Sequence, residues 1–219
     1  MAPPRPTAVL TFDVEEFDLP NERGQPISLD EQLRIGREGF ERILALLTKH
    51  DIPATFFMTG VFAEANADLV RSLNPRHELA SHQYSHSTFE LADLAKSRRV
   101  LESISSRQVL GFRRARMAPT PRDAIIAAGY AYDSSLNPTW LPGRYNQRDK
   151  PRVPFVDQGL LTLPASVTPT LRVPLFWLAF KNFPRWYFRS CAARTLAHTG
   201  HVNHYFHPWE FTDLSRFNL

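Results

Sequence analysis

Cysteine is almost missing from this chain. Cys191 is the single cysteine in 219 residues, so no intrachain disulfide can form, and stability rests on a core that a chain of this length can build. Its place in a helical pattern suits packing better than nucleophilic chemistry. No uninterrupted apolar stretch is long enough to span a bilayer. The first six residues, Met-Ala-Pro-Pro-Arg-Pro, lack the apolar run of a secretory signal. The expectation is a soluble, cytoplasmic protein without stable membrane insertion. Neither an internal repeat nor a break in composition divides the sequence, which leaves one domain over residues 1–219. The cation excess is small, a net charge of +4, and falls short of the strongly basic character of a nucleic-acid binder. Nothing in the composition specifies an oligomeric state.

Strand-like and helix-like segments alternate along the chain. Ala8–Phe12 reads as a buried strand that ends at the acidic cluster Asp13, Glu15 and Glu16. Ser28 with Glu31 has the pattern of a capping box, and Leu33, Phe40, Ile43, Leu44 and Leu47 follow at helical spacing. Ala54–Met58 and Glu78–Ala80 are further strands, with a helix over Val61–Leu73 between them. Leu91–Ile104 is a helix and Val109–Phe112 a strand ending at Arg113. Thr120 and Pro121 place a cap and a first-turn proline before a helix that Gly129 ends. Tyr130–Tyr132 is a short strand, Asn137–Phe155 a long loop, and Leu160–Leu163 another strand. Pro184–Ala197 is a helix ended by Gly200, and Val202–Phe206 is the last strand. Repeated βα units imply a mainly parallel sheet or barrel with its chemistry at the carboxyl ends of the strands.

Five chemically capable residues fall at those ends: Asp13, His82, Arg113, Asp133 and His207. A parallel barrel gathers all five on one rim. His82 and His86 are four residues apart, and on a helical turn both imidazoles reach one ion. A third ligand is available in the Asp13–Glu16 cluster. Seven arginines lie between Arg98 and Arg122 and serve either an anionic sugar or a solvated surface.

Several segments resemble the polysaccharide deacetylases, also called the NodB-homology domain or carbohydrate esterase family four. Thr11-Phe12-Asp13 is similar to the family's first motif, the run from Ser81 through His82 and His86 to Ser87 to its second, and Gly111-Phe112-Arg113 to the start of its third. Tyr132–Leu136 and Tyr205–Glu210 resemble later segments, the last a subgroup with a His-Pro-Trp-Glu motif. The resemblance runs from about Val9 to Glu210. It implies a distorted barrel of seven strands and N-deacetylation of a glycan, aided by a divalent metal: zinc, cobalt, nickel or manganese.

Amide hydrolysis needs an activated water, a polarised carbonyl and a proton for the leaving nitrogen. The resemblance assigns Asp13 as the general base, Arg113 as the group that orients it, and His207 as the general acid. His82 and His86 become metal ligands, and the backbone near Arg116 an oxyanion donor. The chain departs from the commonest family pattern at Val14, where a second aspartate ligates the metal. Some members carry that ligand one residue later, which points to Glu15; strand alternation turns Asp13 and Glu15 the same way. If the chain turns after Asp13, Glu16 takes that place. The second departure is Ala115, where the third motif usually has proline.

Other residues keep two readings. Asp133 either orients something in the site or forms a turn with Ser134 and Ser135. Trp209 and Glu210 steady the site loop, contact substrate or cap the element. His204, on a strand with His207, faces the opposite way and packs beneath the barrel. The aromatic and basic stretch from Leu175 to Arg189 lines a sugar groove, touches a membrane interface or packs as an outer helix. Two alternatives to a metal-dependent deacetylase stand beside it: a metal-independent hydrolase of a small cyclic amide, and a non-catalytic carbohydrate-binding relative.

Overall fold

A computed structural model describes residues 6–143 and 145–218. The chain runs β1 (Thr7–Val14), α1 (Leu19–Glu22), α2 (Leu29–His50), β2 (Thr55–Met58), α3 (Gly60–Ala65), α4 (Ala67–Arg71), β3 (Glu78–Ser81), α5 (Ala92–Ser105) and β4 (Gly111–Phe112). It continues through α6 (Arg122–Ala127), β5 (Tyr132–Asp133), β6 (Trp140–Leu141), β7 (Tyr145–Asn146), β8 (Phe155–Asp157), β9 (Leu160–Thr162), α7 (Trp177–Asn182), α8 (Arg185–Thr199) and β10 (His201–Phe206).

Seven strands pair in parallel in the order β10-β1-β2-β3-β4-β5-β9, and β8 adds an antiparallel edge to β9. The mainly parallel sheet follows from the βα alternation, and its seven parallel strands make the distorted barrel that the family resemblance implies. The ladder stops between β9 and β10, and the chain just past β9 bridges the seam. Ser166 donates its N–H to the Asn203 carbonyl at 3.0 Å, and the Asn203 N–H donates to Ser166 Oγ at 2.8 Å.

Burial in β1 rises along the strand, from exposed Thr7 to fully buried Val14. Phe12 and Val14 join Phe40, Ile43 and Phe56 in the core between sheet and helices. Thr11 and Asp13 therefore face the barrel interior, by the two-residue period of a strand. β2 is buried at every residue, as a parallel strand covered on both faces must be.

Helix α2 starts where Ser28 Oγ accepts the Glu31 N–H at 3.3 Å and ends at left-handed Asp51. Glu31 spends its carboxylate on Arg34 at 2.8 Å, so the capping box is made from one side only. Two glycines let α2 approach the rim. A Cβ on Gly39 would lie 2.1 Å from the Pro208 carbonyl oxygen, and one on Gly36 would lie 2.7 Å from that of Glu15.

Several boundaries differ from the sequence expectation. The helix expected over Val61–Leu73 is two, broken at Asn66 (φ −127°), whose amide donates to the Phe62 carbonyl and accepts from Arg37. The loop expected over Asn137–Phe155 contains the β6–β7 hairpin. Pro121 caps α6 from outside the helix, and two short strands each start two residues later than expected, at Gly111–Phe112 and Tyr132–Asp133. His82 and His86 lie on no helical turn; they occupy a loop that leaves β3 through Gln83 in the left-handed region (φ 63°).

Candidate active site

Asp13 enters the barrel beside Arg113, which leaves the end of β4. Arg113 Nη1 donates to Asp13 Oδ1 at 2.6 Å and to Thr11 Oγ1 at 3.0 Å. Nε and Nη2 reach the Ser134 carbonyl and hydroxyl, and the guanidinium lies 4.0 Å from the centre of the Phe57 ring. Arg113 is fully buried, so strand-end groups lock it in a medium where an ion pair is strong and an unpaired charge is costly.

Glu15, two residues on, meets both histidines of the loop after β3. Its Oε2 lies 3.1 Å from His82 Nε2 and 3.1 Å from His86 Nε2. One ligand atom from each of the three buried side chains falls within 4.8 Å of the others. Ligand atoms about 2.0–2.2 Å from a tetrahedral zinc lie some 3.3–3.6 Å apart, so only a small adjustment fits this set to an ion. Two neutral imidazoles and a carboxylate also suit such an ion chemically. Glu16 points elsewhere: its carboxylate accepts from Thr59 Oγ1 at 2.5 Å and from the His86 N–H at 3.3 Å.

Burial alone would raise the Glu15 carboxyl. The charges of His86 and His207 and the bond to His82 override it and hold Glu15 well below the usual range. Burial likewise disfavours a charged His86, but Glu15 and then Asp18 push it up to about 9; Asp18 Oδ1 sits 2.9 Å from His86 Nδ1. Glu16 shifts upward because burial dominates.

His207 follows β10. Its Nδ1 is 2.8 Å from Glu210 Oε1, and its Nε2 is 3.9 Å from Glu15 Oε1. Its ring stacks on Trp209 with centroids 4.7 Å apart. The Trp209 indole N–H donates to Glu15 Oε1 at 3.1 Å, which ties the two ends of the chain together. Burial opposes a charge on His207, but Glu15, Glu210 and Asp13 raise its pKa.

Asp13, Glu15, His82, His86, Arg116, His207 and Trp209 line one cavity of about 230 Å³. A larger cavity of about 620 Å³, between residues 168–173 and α8, contains none of these groups. Arg116 lines the rim with its side chain, which binds Glu22, Asp18 and the His86 carbonyl. Glu210 and Asp133 do not line the cavity. Glu210 binds His207, and the half-buried Asp133 carboxylate turns back onto the Ser135 N–H and hydroxyl. The other arginines between Arg98 and Arg122 are mostly spent on the framework: Arg98 on Glu102 and the Ala128 carbonyl, Arg114 on the Phe89 ring, Arg122 on Asp157. His204 packs on Phe188 with Nδ1 2.8 Å from the Leu175 carbonyl oxygen.

Sequence reasoning did not find Asp18, Glu22 or Gln83. Gln83 donates its amide to the carbonyls of Ser85 and Thr88, and its Oε1 accepts the Ala115 N–H at 3.3 Å. That last bond needs an N–H at position 115, which proline lacks. The presence of alanine there was the one available signal.

A sequence model described as "Polysaccharide deacetylase" matches residues 1–118, and the chain belongs to that family. Solved structures share the fold. A probable polysaccharide deacetylase from Pseudomonas aeruginosa superposes with a TM-score of 0.69 at 16% identity, over 94% of this chain and 82% of that one. The Puue allantoinase gives 0.68 at 16%, over 95% and 82%. A CE4 family pseudoenzyme from Bacillus anthracis gives 0.52 at 17%, over 95% and 58%. Two uncharacterized curated relatives, from Geobacillus stearothermophilus and Bacillus subtilis, match at 34% and 36% identity over 67 and 52 residues. These matches cover 30% and 23% of this chain, and only 25% and 16% of the relatives' own length.

Proposed function

We propose that this chain is a metal-dependent hydrolase that removes an N-acetyl group from an amino sugar in a polysaccharide, peptidoglycan or lipid-linked glycan. The observation that carries the reading is the convergence of Glu15, His82 and His86 in the cavity that also holds the Arg113-bound Asp13 and the Glu210-bound His207. A binding module has no need of a locked carboxylate, an oriented imidazole and a ligand trio together. Glu15 also supplies the carboxylate that Val14 does not, which weighs against the metal-independent reading.

His82, His86 and Glu15 would hold the ion. When bound, it supplies Lewis acidity toward an amide carbonyl and an attacking water. Asp13, oriented by the bond from Arg113, takes the proton of that water. The oxygen bonds to the acyl carbon, and the carbon–nitrogen bond then breaks. His207, with Nδ1 committed to Glu210, gives the Nε2 proton to the departing nitrogen. Acetate and a free sugar amine result, and proton exchange with solvent resets Asp13 and His207. Tyr205, Trp177 and Trp209 wall the cavity with aromatic edges and faces, of which the half-buried Trp177 is the most open.

Acetate release from chitooligosaccharides and peptidoglycan, measured for wild type and Asp13→Asn, tests this. The reading expects release by wild type and a loss of about a hundredfold or more in the variant. Glycan binding without release by either protein contradicts it and favours the carbohydrate-binding reading.

A further inference from the structure

Between Asp157 and Glu210 the chain has no aspartate or glutamate, while Arg172, Lys181, Arg185, Arg189 and Arg194 fall in that interval. Much of the interval folds into α7 and α8, and the region around their turn exposes three aromatic rings. Phe180, Phe183 and Trp186 are 43%, 42% and 70% exposed. Phe183 and Trp186 both pack on Tyr187, with centroids 5.2 and 5.9 Å away, so the tip is one joined aromatic surface. Phe180 anchors it from below, against Phe188 at 5.3 Å and Phe206 of β10 at 5.5 Å.

Lys181, Arg185 and Arg189 are exposed and interleave with these rings in the sequence, and none pairs with an acid among the described residues. Helix α2 is different: its Arg34, Arg37 and Arg42 are matched by Glu31, Asp68 and Glu38. A joined patch of exposed rings is costly to leave in water, and clustered cations without acidic partners raise a local positive potential that attracts an anionic surface. Against an anionic bilayer they are favourable. Aromatic rings settle at the level of the headgroups, long cationic side chains reach the phosphates, and each cation adds about fivefold to partitioning.

We propose that the α7–α8 tip docks on an anionic lipid bilayer, seating Phe183 and Trp186 at headgroup level with Lys181, Arg185 and Arg189 against lipid phosphates. The docking is peripheral, since no helix among the described residues is long and apolar enough to cross a membrane. It also brings the catalytic cavity close to the surface. α7 opens with Trp177 and Leu178, which line that cavity, and a helix of this length spans only about 9 Å.

The test is co-sedimentation of the whole chain with phosphatidylcholine vesicles, pure or mixed with phosphatidylglycerol. The expected result is binding to the mixed vesicles only. That binding should weaken strongly at about 1 M salt, where screening shortens to about 3 Å. It should fall roughly tenfold in Phe183→Ser/Trp186→Ser, and again in Arg185→Glu/Arg189→Glu. These substitutions lie on the surface, so unchanged thermal unfolding of the variants establishes that the fold is intact. Three results overturn the proposal: no binding to mixed vesicles, binding that both double variants retain, or a wild-type dimer in sedimentation analysis that Phe183→Ser/Trp186→Ser dissolves. The last assigns the tip to a second copy of the chain.

Discussion

Glu210 holds His207 twice with one oxygen: Oε1 accepts the His207 backbone N–H at 2.7 Å and lies 2.8 Å from Nδ1. The ring is thereby turned so that Nε2 faces Glu15 and the cavity, and the negative charge favours the protonated form. Glu210→Gln keeps an acceptor and removes the charge. A general acid works only while protonated, so activity falls as pH rises through its pKa. Removing a raising influence moves that alkaline limb to lower pH, and kcat at neutral pH drops by about tenfold or more. An unchanged pH–rate profile would show that Glu210 does not act on His207.

Gln83 fixes the shape of the histidine loop. It sits in the left-handed region, and its side chain gathers the carbonyls of Ser85 and Thr88 while accepting from Ala115. Gln83→Ala frees the segment that aims His86 toward Glu15. By analogy with partners that orient metal ligands, divalent ion affinity should weaken about 10–100-fold. Titration calorimetry with zinc checks this, and equal affinity would reduce Gln83 to packing.

The Asp13–Arg113 pair is buried on both sides. Removing one partner strands a charge, so Asp13→Ala should cost about 3–5 kcal/mol of stability in urea denaturation. Replacing the pair with apolar residues, as in Asp13→Leu/Arg113→Met, should recover much of that loss while leaving no hydrolysis. A double variant less stable than Asp13→Ala would contradict this account of the pair.

His77 is buried, and its Nδ1 accepts the Ala54 N–H at 3.2 Å. Burial first, then the charges of Arg107 and Arg76, lower its pKa from 6.5. The unfolded chain therefore takes up this proton at a higher pH than the folded one. The contribution is fully present above about pH 6.5 and is lost as pH falls below it. His77→Gln, which keeps an acceptor and does not titrate, should flatten that part of the stability–pH curve. A slope identical to wild type would remove His77 from the acid response.

Asp13, His82, Arg113 and His207 could be placed from the sequence because each follows a short apolar run, and parallel strands bring such ends to one rim. Burial and alternation are local signals. The arrangement of the histidine loop is not local. The spacing of His82 and His86 suggests a helical turn, whereas the left-handed backbone at Gln83 and the side chains of Glu16, Thr59 and Ser97 build a loop instead. Asp18 meets His86 across 67 intervening positions that carry no shared pattern. Asn66 divides a continuous helical pattern because its amide is paired with Arg37 and Phe62. Such choices depend on partners distant in sequence, and propensity does not record them.

The most direct test of the central claim is the metal content of untagged protein purified without chelators, for wild type and His82→Ala. The account predicts close to one equivalent of zinc, cobalt, nickel or manganese in wild type, and loss of that ion in a variant that remains folded. Wild-type protein that takes up no ion even from excess would contradict it, and His82, His86 and Glu15 would then be a buried ion-pair cluster instead of a metal centre.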